Sequence, residues 1–190
     1  MKIKGPFLVV DTETGGLNSD TTSILSIAGV VWEPQKKIKP LFDFYICEDE
    51  IITEERALQV NKIDLEVVKQ EGLSPSEAVI EIKKKLDKRF GPDRKPIMLV
   101  AHNAPFDVGF IKRLYKLAKQ DYYADFYDRA LDTCSILHYL MIAGKVKGYR
   151  ASADVLFEAT SVKIAEKDRH TAKGDALATA RALEKLLAMF

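Results

Sequence analysis

The chain has 190 residues, of which 47% are hydrophobic and 30% charged, with a formal net charge of +1. This length suits one well-buried core and is short for two, so we expect residues 1–190 to form a single domain. A net charge near zero argues against a protein that holds long nucleic acid through a strong uniform field.

Targeting and redox features are few. No apolar stretch approaches the roughly 20 residues of a membrane span, and residues 1–5 lead into the first strand without a signal-peptide apolar region. These observations predict a cytoplasmic protein without a membrane partner. The two cysteines, Cys47 and Cys134, lack the spacing of metal ligands and are expected to be reduced and packed.

The order of predicted elements favours one mixed sheet. The first half is typical of an antiparallel meander, with strands near residues 6–12, 24–32 and 40–47. Helices follow near 53–60, 64–70 and 74–90, the last opening with Ser74-Pro75-Ser76-Glu77, which has the form of a capping box. The second half predicts strands at 96–101 and 127–132 and helices at about 105–119, 133–143, 151–160 and 172–188. Such alternation implies parallel pairing, so we predict an α/β fold with a mixed five-stranded sheet and helices on both faces.

Three short motifs place acidic side chains at the ends of these elements. Asp11 and Glu13, in DTETGGL, point the same way from a strand, because strand side chains repeat every two residues. VAHNAPFDVGF carries Asp107, and HTAKGDALATA carries His170 five residues before Asp175. Acidic groups brought to one point repel each other, so such a cluster makes sense mainly around divalent cations.

Spacing alone does not identify these motifs. A second Asp-x-Glu pair, Asp64 and Glu66, lies at the start of a predicted helix, where the two residues would not share a face. His102 stands five residues before Asp107, so the histidine-to-aspartate interval occurs twice. The specific feature is the order: carboxylates on an early strand, one after a later strand, and one with a histidine near the C-terminus.

In that order the motifs resemble the ExoI, ExoII and ExoIII motifs of the DEDDh branch of DnaQ-like 3′→5′ exonucleases, and the resemblance covers nearly the whole chain. It implies a ribonuclease-H-like fold and hydrolysis of nucleic-acid ends with two Mg²⁺, for which Mn²⁺ can substitute. The five motif positions are occupied by Asp11, Glu13, Asp107, His170 and Asp175.

The resemblance also implies a role for each of these residues. Asp11 would bridge both metals, Glu13 and Asp175 would hold the metal on the nucleophile side, and Asp107 would act on the other through water. His170 fits a general base, because an imidazole can accept a proton near neutral pH. The structural alternative for His170 is a helix-entry residue with local hydrogen bonds.

Candidate substrate contacts follow from the same resemblance. Backbone groups of Thr14, Gly15 and Gly16 would meet the terminal nucleotide, and Leu17 would lie beside its base. The family usually has threonine where this chain has Gly15, and losing that β-branched side chain is expected to loosen the turn. The segment 57–64 resembles the part of these enzymes that covers the terminal residue, which makes Asn61 and Ile63 further candidates.

Four residues of the second motif are ambiguous. His102 and Asn103 are expected to form a polar hinge that orients the Asp107 segment, and both are kept as candidate substrate contacts. Phe106 and Phe110 could stack on bases. Their i, i+4 spacing favours a core role instead, and Phe106 is kept as a candidate contact.

Two further polar residues have simpler interpretations. Asp132 most simply caps the next helix, with a role beside the site left open. His138, among apolar neighbours of a predicted helix, is expected to be packed or partly exposed.

Basic residues are clustered locally. On helices and in turns such clusters usually form solvated faces, with cations favoured near helix C-termini. The clusters are Lys36, Lys37 and Lys39; Lys83, Lys84, Lys85, Lys88 and Arg89; Lys112, Arg113, Lys116 and Lys119; and Lys145, Lys147 and Arg150. We expect the Lys112 cluster, on the helix of Asp107, to be the better candidate for backbone contact, with the Lys145 cluster as the other.

The sequence therefore predicts a stand-alone, metal-dependent exonuclease that trims single-stranded 3′ ends, with DNA as the expected polymer. One alternative is an RNA-trimming enzyme of the ribonuclease T or oligoribonuclease type. Another is a proofreading module that works on a DNA polymerase, as the polymerase III epsilon subunit does, and a third is a non-catalytic nucleic-acid-binding protein. The resemblance also allows a homodimer. The low net charge predicts distributive trimming that salt weakens strongly.

Overall fold

The computed structural model of the protein describes residues 6–188. Its strands are β1 (Phe7–Thr14), β2 (Ile24–Trp32), β3 (Lys39–Tyr45), β4 (Met98–Ala101) and β5 (Leu131–Asp132). Its α-helices are α1 (Glu55–Asn61), α2 (Leu65–Glu71), α3 (Pro75–Phe90), α4 (Ala104–Leu117), α5 (Thr133–Ile142), α6 (Ala153–Ala159) and α7 (Ala172–Leu187). Short 3-10 turns lie at Tyr122–Ala124 and Glu166–Asp168. None of the helices within residues 6–188 combines the length and the apolarity that a membrane crossing requires.

The sheet has the strand order β3-β2-β1-β4-β5. The β1–β2 and β2–β3 pairs are antiparallel, whereas β1–β4 and β4–β5 are parallel. The predicted mixed five-stranded sheet is therefore confirmed. Because β1 lies at the centre, its carboxyl end is adjacent to the carboxyl end of β4, where both adjoining segments carry acidic residues.

Local sequence signals set most element boundaries. Ser74 and Glu77 form the predicted capping box at the start of α3, and Asp64 caps α2 by accepting from the Glu66 amide. Pro105 occupies the first turn of α4, where its missing N–H has no helical partner to lose. Asp132 caps α5 through the Cys134 and Ser135 amides.

The two faces of β1 pack against different helices. Leu8 and Val10 belong to a core cluster formed with α3 and α4, whereas Phe7 and Val9 belong to a second cluster formed with α7. Helices α5 and α6 pack on the outer side of α7. Alternation along one strand therefore brings two helices, one from each side, to the end of β1.

The fifth strand is shorter than predicted. The sequence pattern predicted a strand near 127–132, but only Leu131 and Asp132 pair with β4, and a separate bridge joins Ile97 to Phe126. Residues 127–129 are exposed between these two points. Phe126 also packs against the rings of Tyr115 and Tyr122.

Two residues of the Lys112 cluster form ion pairs, whereas Lys116 and Lys119 are exposed, and the contact of this cluster with a nucleic-acid backbone stays a prediction. Arg113 pairs with buried Glu48, with Nη2 2.7 Å from Oε2, and also donates to the Ser19 and Asp20 carbonyls. Lys112 lies 3.4 Å from Asp128. A buried charge left without its partner is costly, so Arg113 serves to hold the loop after β1 rather than to meet a ligand.

Both cysteines are free and half-buried, and their reduced state stays a prediction. His138 is exposed on α5, with Nδ1 3.8 Å from Cys134 Sγ.

Candidate active site

Three of the predicted carboxylates converge at the end of β1. One oxygen each from Asp11, Glu13 and Asp175 lies within 4.8 Å of the other two. Asp11 and Glu13 project from one face of β1, and Asp175 approaches from the first turn of α7, which packs on that same face. We call these three residues the carboxylate cluster.

Asp107 reaches the cluster from the opposite face of the sheet. It is buried in the first turn of α4, and its Oδ1 accepts hydrogen bonds of 2.9 Å from both the amide and the hydroxyl of Thr12. Thr12 lies between Asp11 and Glu13 and therefore points to the α4 side. Sequence reasoning missed Thr12, although its place between two motif carboxylates was a signal that its side chain faces the other helix.

Crowding and burial shift the acidity of these groups. Burial, with the charges of Asp107 and Glu13, raises the pKa of Asp11 well above its usual value. Burial also raises the pKa of Asp107 to about 7 despite its bonds from Thr12. The pKa of Glu13 is raised to about 7, first by burial and then by the neighbouring carboxylates. Without a cation, these three carboxyl groups therefore keep their protons at pH values where ordinary carboxyl groups have lost them.

Arg169 is a second contact that the sequence did not predict. Its Nη1 lies 2.5 Å from Asp175 Oδ2, and its Nε and Nη2 donate to Asp154 Oδ1 of α6 at 3.2 and 2.8 Å. The guanidinium also lies over the Phe157 ring at 5.6 Å. Burial raises the pKa of Asp175, and the Arg169 charge opposes that rise. Arg169 thus supplies positive charge to the carboxylate cluster.

The donor set fits a divalent cation. Asp175 Oδ1 is buried and has no hydrogen-bond partner among the described residues, while its other oxygen is held by Arg169. Carboxylate oxygens are the ligands that hard divalent cations prefer. A buried oxygen without a donor, beside two further carboxylates, is satisfied when a cation binds there.

His170 is exposed at the entrance to α7, directly before the cap residue Thr171. Its backbone is left-handed, with φ of 60°, a conformation that non-glycine residues adopt uncommonly. The residue lines an open cleft of about 1280 Å³ that begins at Glu13. The imidazole is therefore free to meet a molecule held beside the carboxylate cluster.

The cleft is bounded by the end of β3, by α1 and α2, and by the segment 166–173. Its basic lining residues are Lys62, Lys167, Arg169 and Lys173. Ile63 and Asn61 also line it, but Asn61 is buried and uses both ends of its amide internally, donating to the Thr14 carbonyl and accepting from the Ile63 amide. Asn61 thus helps to position the cleft wall, and its direct contact with a substrate stays a prediction.

The turn after Glu13 is tight, contrary to the expectation for Gly15. A Cβ atom at Gly15 would lie 2.3 Å from the Ile52 carbonyl oxygen. The Gly15 amide donates to the Ser23 carbonyl at 2.7 Å, and its carbonyl accepts from the Glu54 amide at 2.6 Å. Glycine here allows residues 52–54 to pack against the turn.

Hydrogen bonding within this turn also limits its predicted contacts with a nucleotide. The Thr14 carbonyl is taken by Asn61, and the Gly16 carbonyl accepts from the Thr14 hydroxyl at 2.7 Å. Each of the three carbonyls of Thr14, Gly15 and Gly16 thus has one internal hydrogen bond and one acceptor position left, and contact of this backbone with a substrate stays a prediction. Leu17 is 80% exposed and is free to lie beside a base.

The second motif forms the predicted hinge. The Asn103 amide and the Ala104 amide both donate to Asp132 Oδ1, at 2.9 and 3.1 Å, and Asn103 is left-handed with φ of 67°. Asp132 therefore has the second role that the sequence left open, because it fixes the turn that aims α4. His102 lies within hydrogen-bond distance of the Thr133 hydroxyl and the Ala151 carbonyl.

The spacing of the two phenylalanines predicted a core role for both, and both pack in or against the core to different extents. Phe110 is fully buried in the core, which excludes it from stacking on a base. Phe106 is half-buried and packs on Phe110 with ring centroids 5.0 Å apart, so part of its ring stays accessible.

Residues 8–183 match the family model described as Exonuclease. The DNA polymerase III subunit epsilon-like protein of Rhodobacter capsulatus is 30% identical over 183 residues, which are 95% of this chain and 23% of that protein. Ribonuclease T of Shewanella baltica is 34% identical over 119 residues, 59% of this chain and 53% of that enzyme. The chain thus spans about half, or less, of these relatives.

Solved structures show the same fold. E. coli exonuclease I in complex with a dT13 oligonucleotide has a TM-score of 0.77 at 15% identity, over 97% of this chain and 41% of that chain. Cell-death related nuclease 4 has a TM-score of 0.78 at 18% identity, over 97% of this chain and 65% of that chain. These likenesses confirm the predicted ribonuclease-H-like α/β fold.

Stability without metal should fall as pH rises. The folded-state pKa values of Asp11, Glu13 and Asp107 are raised. Between about pH 4.5 and 7 the folded protein therefore binds more protons than the unfolded chain, so the free energy of unfolding decreases as pH rises. In EDTA we expect a melting temperature several degrees lower at pH 8 than at pH 5.5, measured by thermal denaturation. Glu13→Gln should flatten this dependence, and millimolar Mg²⁺ should restore stability at pH 8. A melting temperature that rises with pH in EDTA would contradict it.

Replacing Arg169 should matter most when metal is absent. At pH 8 in EDTA, Arg169→Gln is expected to lower the free energy of unfolding by about 2 kcal/mol, because Asp175 loses its partly buried cationic partner. Asp154→Asn, which changes only the exposed outer partner, should cost less than about 1 kcal/mol. Urea denaturation with and without Mg²⁺ measures both. Equal loss from Arg169→Gln in both conditions would show that Arg169 does not neutralise the carboxylate cluster.

Proposed function

We propose that this chain, which belongs to the exonuclease family whose model covers residues 8–183, hydrolyses phosphodiester bonds at single-stranded 3′ ends. The released products would be nucleoside 5′-monophosphates. The carboxylate cluster, with its buried unpartnered oxygen beside an open cleft with cationic side chains, carries this proposal. DNA is the expected polymer. The similarity to a ribonuclease T makes RNA the alternative, because the 2′-hydroxyl is recognised by the shape of a pocket.

Two Mg²⁺ ions, or Mn²⁺ in their place, fit the oxygen donors at this site. Asp11, Glu13 and Asp175 would hold one ion, and Asp11 with Asp107 would serve the other. When bound, such ions would polarise the attacking water and neutralise charge on the phosphate. The position of Asp107 outside the three-carboxylate cluster supports an outer role, since Thr12 already fixes one of its oxygens.

Residues of this chain would bind the substrate and accept the proton of the attacking water. An oxygen–phosphorus bond forms from water, and the bond from phosphorus to the 3′-oxygen breaks. The leaving 3′-oxygen takes up a proton from solvent water, so the shortened strand leaves with a 3′-hydroxyl. His170 would accept the proton of the water, and its exposure at the mouth of the cleft supports this. The left-handed backbone before α7 holds the imidazole clear of the helix.

The terminal nucleotide would occupy the cleft. Leu17 would lie beside its base, Ile63 would form part of the wall, and the accessible part of Phe106 would face the next base. The cations of Lys62 and Lys167 would offset the phosphate charge. Similarity to an epsilon-like protein supports a second setting, in which the chain proofreads for a DNA polymerase.

The direct test is a time course on 5′-labelled single-stranded DNA and RNA of one sequence. With Mg²⁺ we expect a ladder that shortens from the 3′ end, and with EDTA no cleavage. Asp107→Asn keeps an oxygen for Thr12 but removes the charge, and should reduce the rate at least about a hundredfold. Asp128→Asn, at an exposed carboxylate outside the site, is the matched control and should match the unsubstituted protein. Retained cleavage in EDTA or in Asp107→Asn would refute the proposal.

His170→Ala should separate chemistry from binding. We expect a loss of about 10² to 10⁴-fold in turnover, the usual contribution of a general base, with the melting temperature and its increase on adding Mg²⁺ preserved. His138→Ala, at the exposed histidine of α5, is the control and should keep full activity. Unchanged turnover of His170→Ala near pH 8 would exclude the general-base role.

A further inference from the structure

The loop between α5 and α6, residues 143–152, combines exposed cations with an exposed aromatic side chain. Lys145, Lys147 and Arg150 are exposed, and Tyr149 is 92% exposed. The ion pairs formed within residues 6–188 include none of these three cations. By contrast, several cations of the other basic clusters have carboxylate partners. This loop therefore presents positive charge and an aromatic ring that the fold itself does not use.

The loop has a defined shape. Gly144 and Gly148 have positive φ values of 68° and 151°, which favour glycine. Between them Val146 packs into the apolar cluster of α5, α6 and α7, and its amide donates to the Leu140 carbonyl. A Cβ atom at Gly148 would lie 2.9 Å from Met141 Cε. With Val146 turned inward, the flanking lysines are presented to solvent.

The end of the loop is attached to both catalytic segments. The Ala151 carbonyl lies 2.9 Å from His102 Nε2, and His102 directly follows β4 in the segment that leads to Asp107. Three residues beyond Ala151, Asp154 accepts from Arg169, which also holds Asp175. The backbone extends at most about 3.6 Å per residue, so Tyr149 lies within about 7 Å of the Ala151 anchor.

We propose that the α5–α6 loop binds the single strand upstream of the nucleotide being removed. Tyr149 stacks on a base, while Lys145, Lys147 and Arg150 contact successive phosphates. Cations combined with exposed aromatic rings are typical of surfaces that bind single strands without sequence preference. The net charge of the whole chain is only +1, so a local patch rather than the overall field supplies this attraction. The inference rests on the proposed function, because it assigns the strand that enters the cleft.

Affinity as a function of strand length tests this assignment. Fluorescence anisotropy in EDTA would measure the affinity for a labelled trinucleotide and for a strand of about twelve nucleotides, each as DNA and as RNA. The longer length is within the range that such surfaces cover. Replacing all three cations with alanine should weaken binding of the longer strand more than that of the trinucleotide. It should also make the dependence of log affinity on log salt concentration shallower by about 2, since each single-strand phosphate contact contributes about 0.7.

Tyr149→Ala gives an independent readout. It should lower the affinity for the longer strand by about tenfold, within the range that base stacking supports, and leave the salt dependence unchanged. The charge-matched control is the triple alanine variant of Lys84, Lys85 and Lys88 on α3, which packs on the opposite face of the sheet. This control should keep both the affinity and the salt dependence.

Two results separate this inference from the proposed function. If the unsubstituted protein shortens strands with Mg²⁺ but the loop variants keep both the length-dependent affinity and the salt dependence, the loop assignment is wrong and the exonuclease proposal stands. If the unsubstituted protein neither binds nor shortens any strand, the proposed function fails first. Weakened binding in the loop variants, with an unaltered melting temperature, supports the loop.

Discussion

Electrostatic repulsion among four carboxylates is the constraint on which this structure depends. The side chains of Asp11, Glu13, Asp107 and Asp175 are brought to one end of the central strand, where burial deprives them of water. Such a group can stay together by holding protons, by accepting hydrogen bonds or by binding a cation. The raised pKa values, the two bonds from Thr12 to Asp107 and the Arg169 guanidinium on Asp175 are the local responses of the chain itself.

The sheet makes this convergence possible because it is approached from both sides. Helix α4 packs on one face and α7 on the other, so each delivers an acidic residue of its first turn to the same strand end. Negative charge in the first turn is favourable for each helix, since the N-terminal end of a helix carries partial positive charge. The arrangement therefore uses helix geometry to offset part of the repulsion.

Much of the polar framework around the site serves positioning. Asp132 fixes the turn before α4, Asn61 ties α1 to the end of β1, and the Glu48–Arg113 pair holds the loop that exposes Leu17. These contacts shape a cleft whose reactive groups remain accessible. The exposed Lys145, Lys147 and Arg150 of the α5–α6 loop are not part of this framework, and the end of that loop contacts His102 in the segment before Asp107.

The order of the elements, several of their caps and the identities of the motif residues could be predicted from the amino-acid sequence. These features depend on neighbours within a few positions: the period of two that aligns Asp11 with Glu13, the capping box at Ser74, and the histidine placed before the last helix. The length of β5 was overestimated, because only Leu131 and Asp132 have partners on β4, and a local pattern does not reveal which residues of a segment will pair.

Which polar groups form internal contacts, and which stay accessible, depends on packing between elements that are distant in the chain. Thr12 and Asp107 are 95 residues apart in the chain, and Arg113 is 65 residues from Glu48. The contact of Gly15 with the Ile52 carbonyl likewise joins separate segments. A spacing rule predicts what a residue type can do, whereas the partner that satisfies its charge or hydrogen bond is set by packing between distant elements.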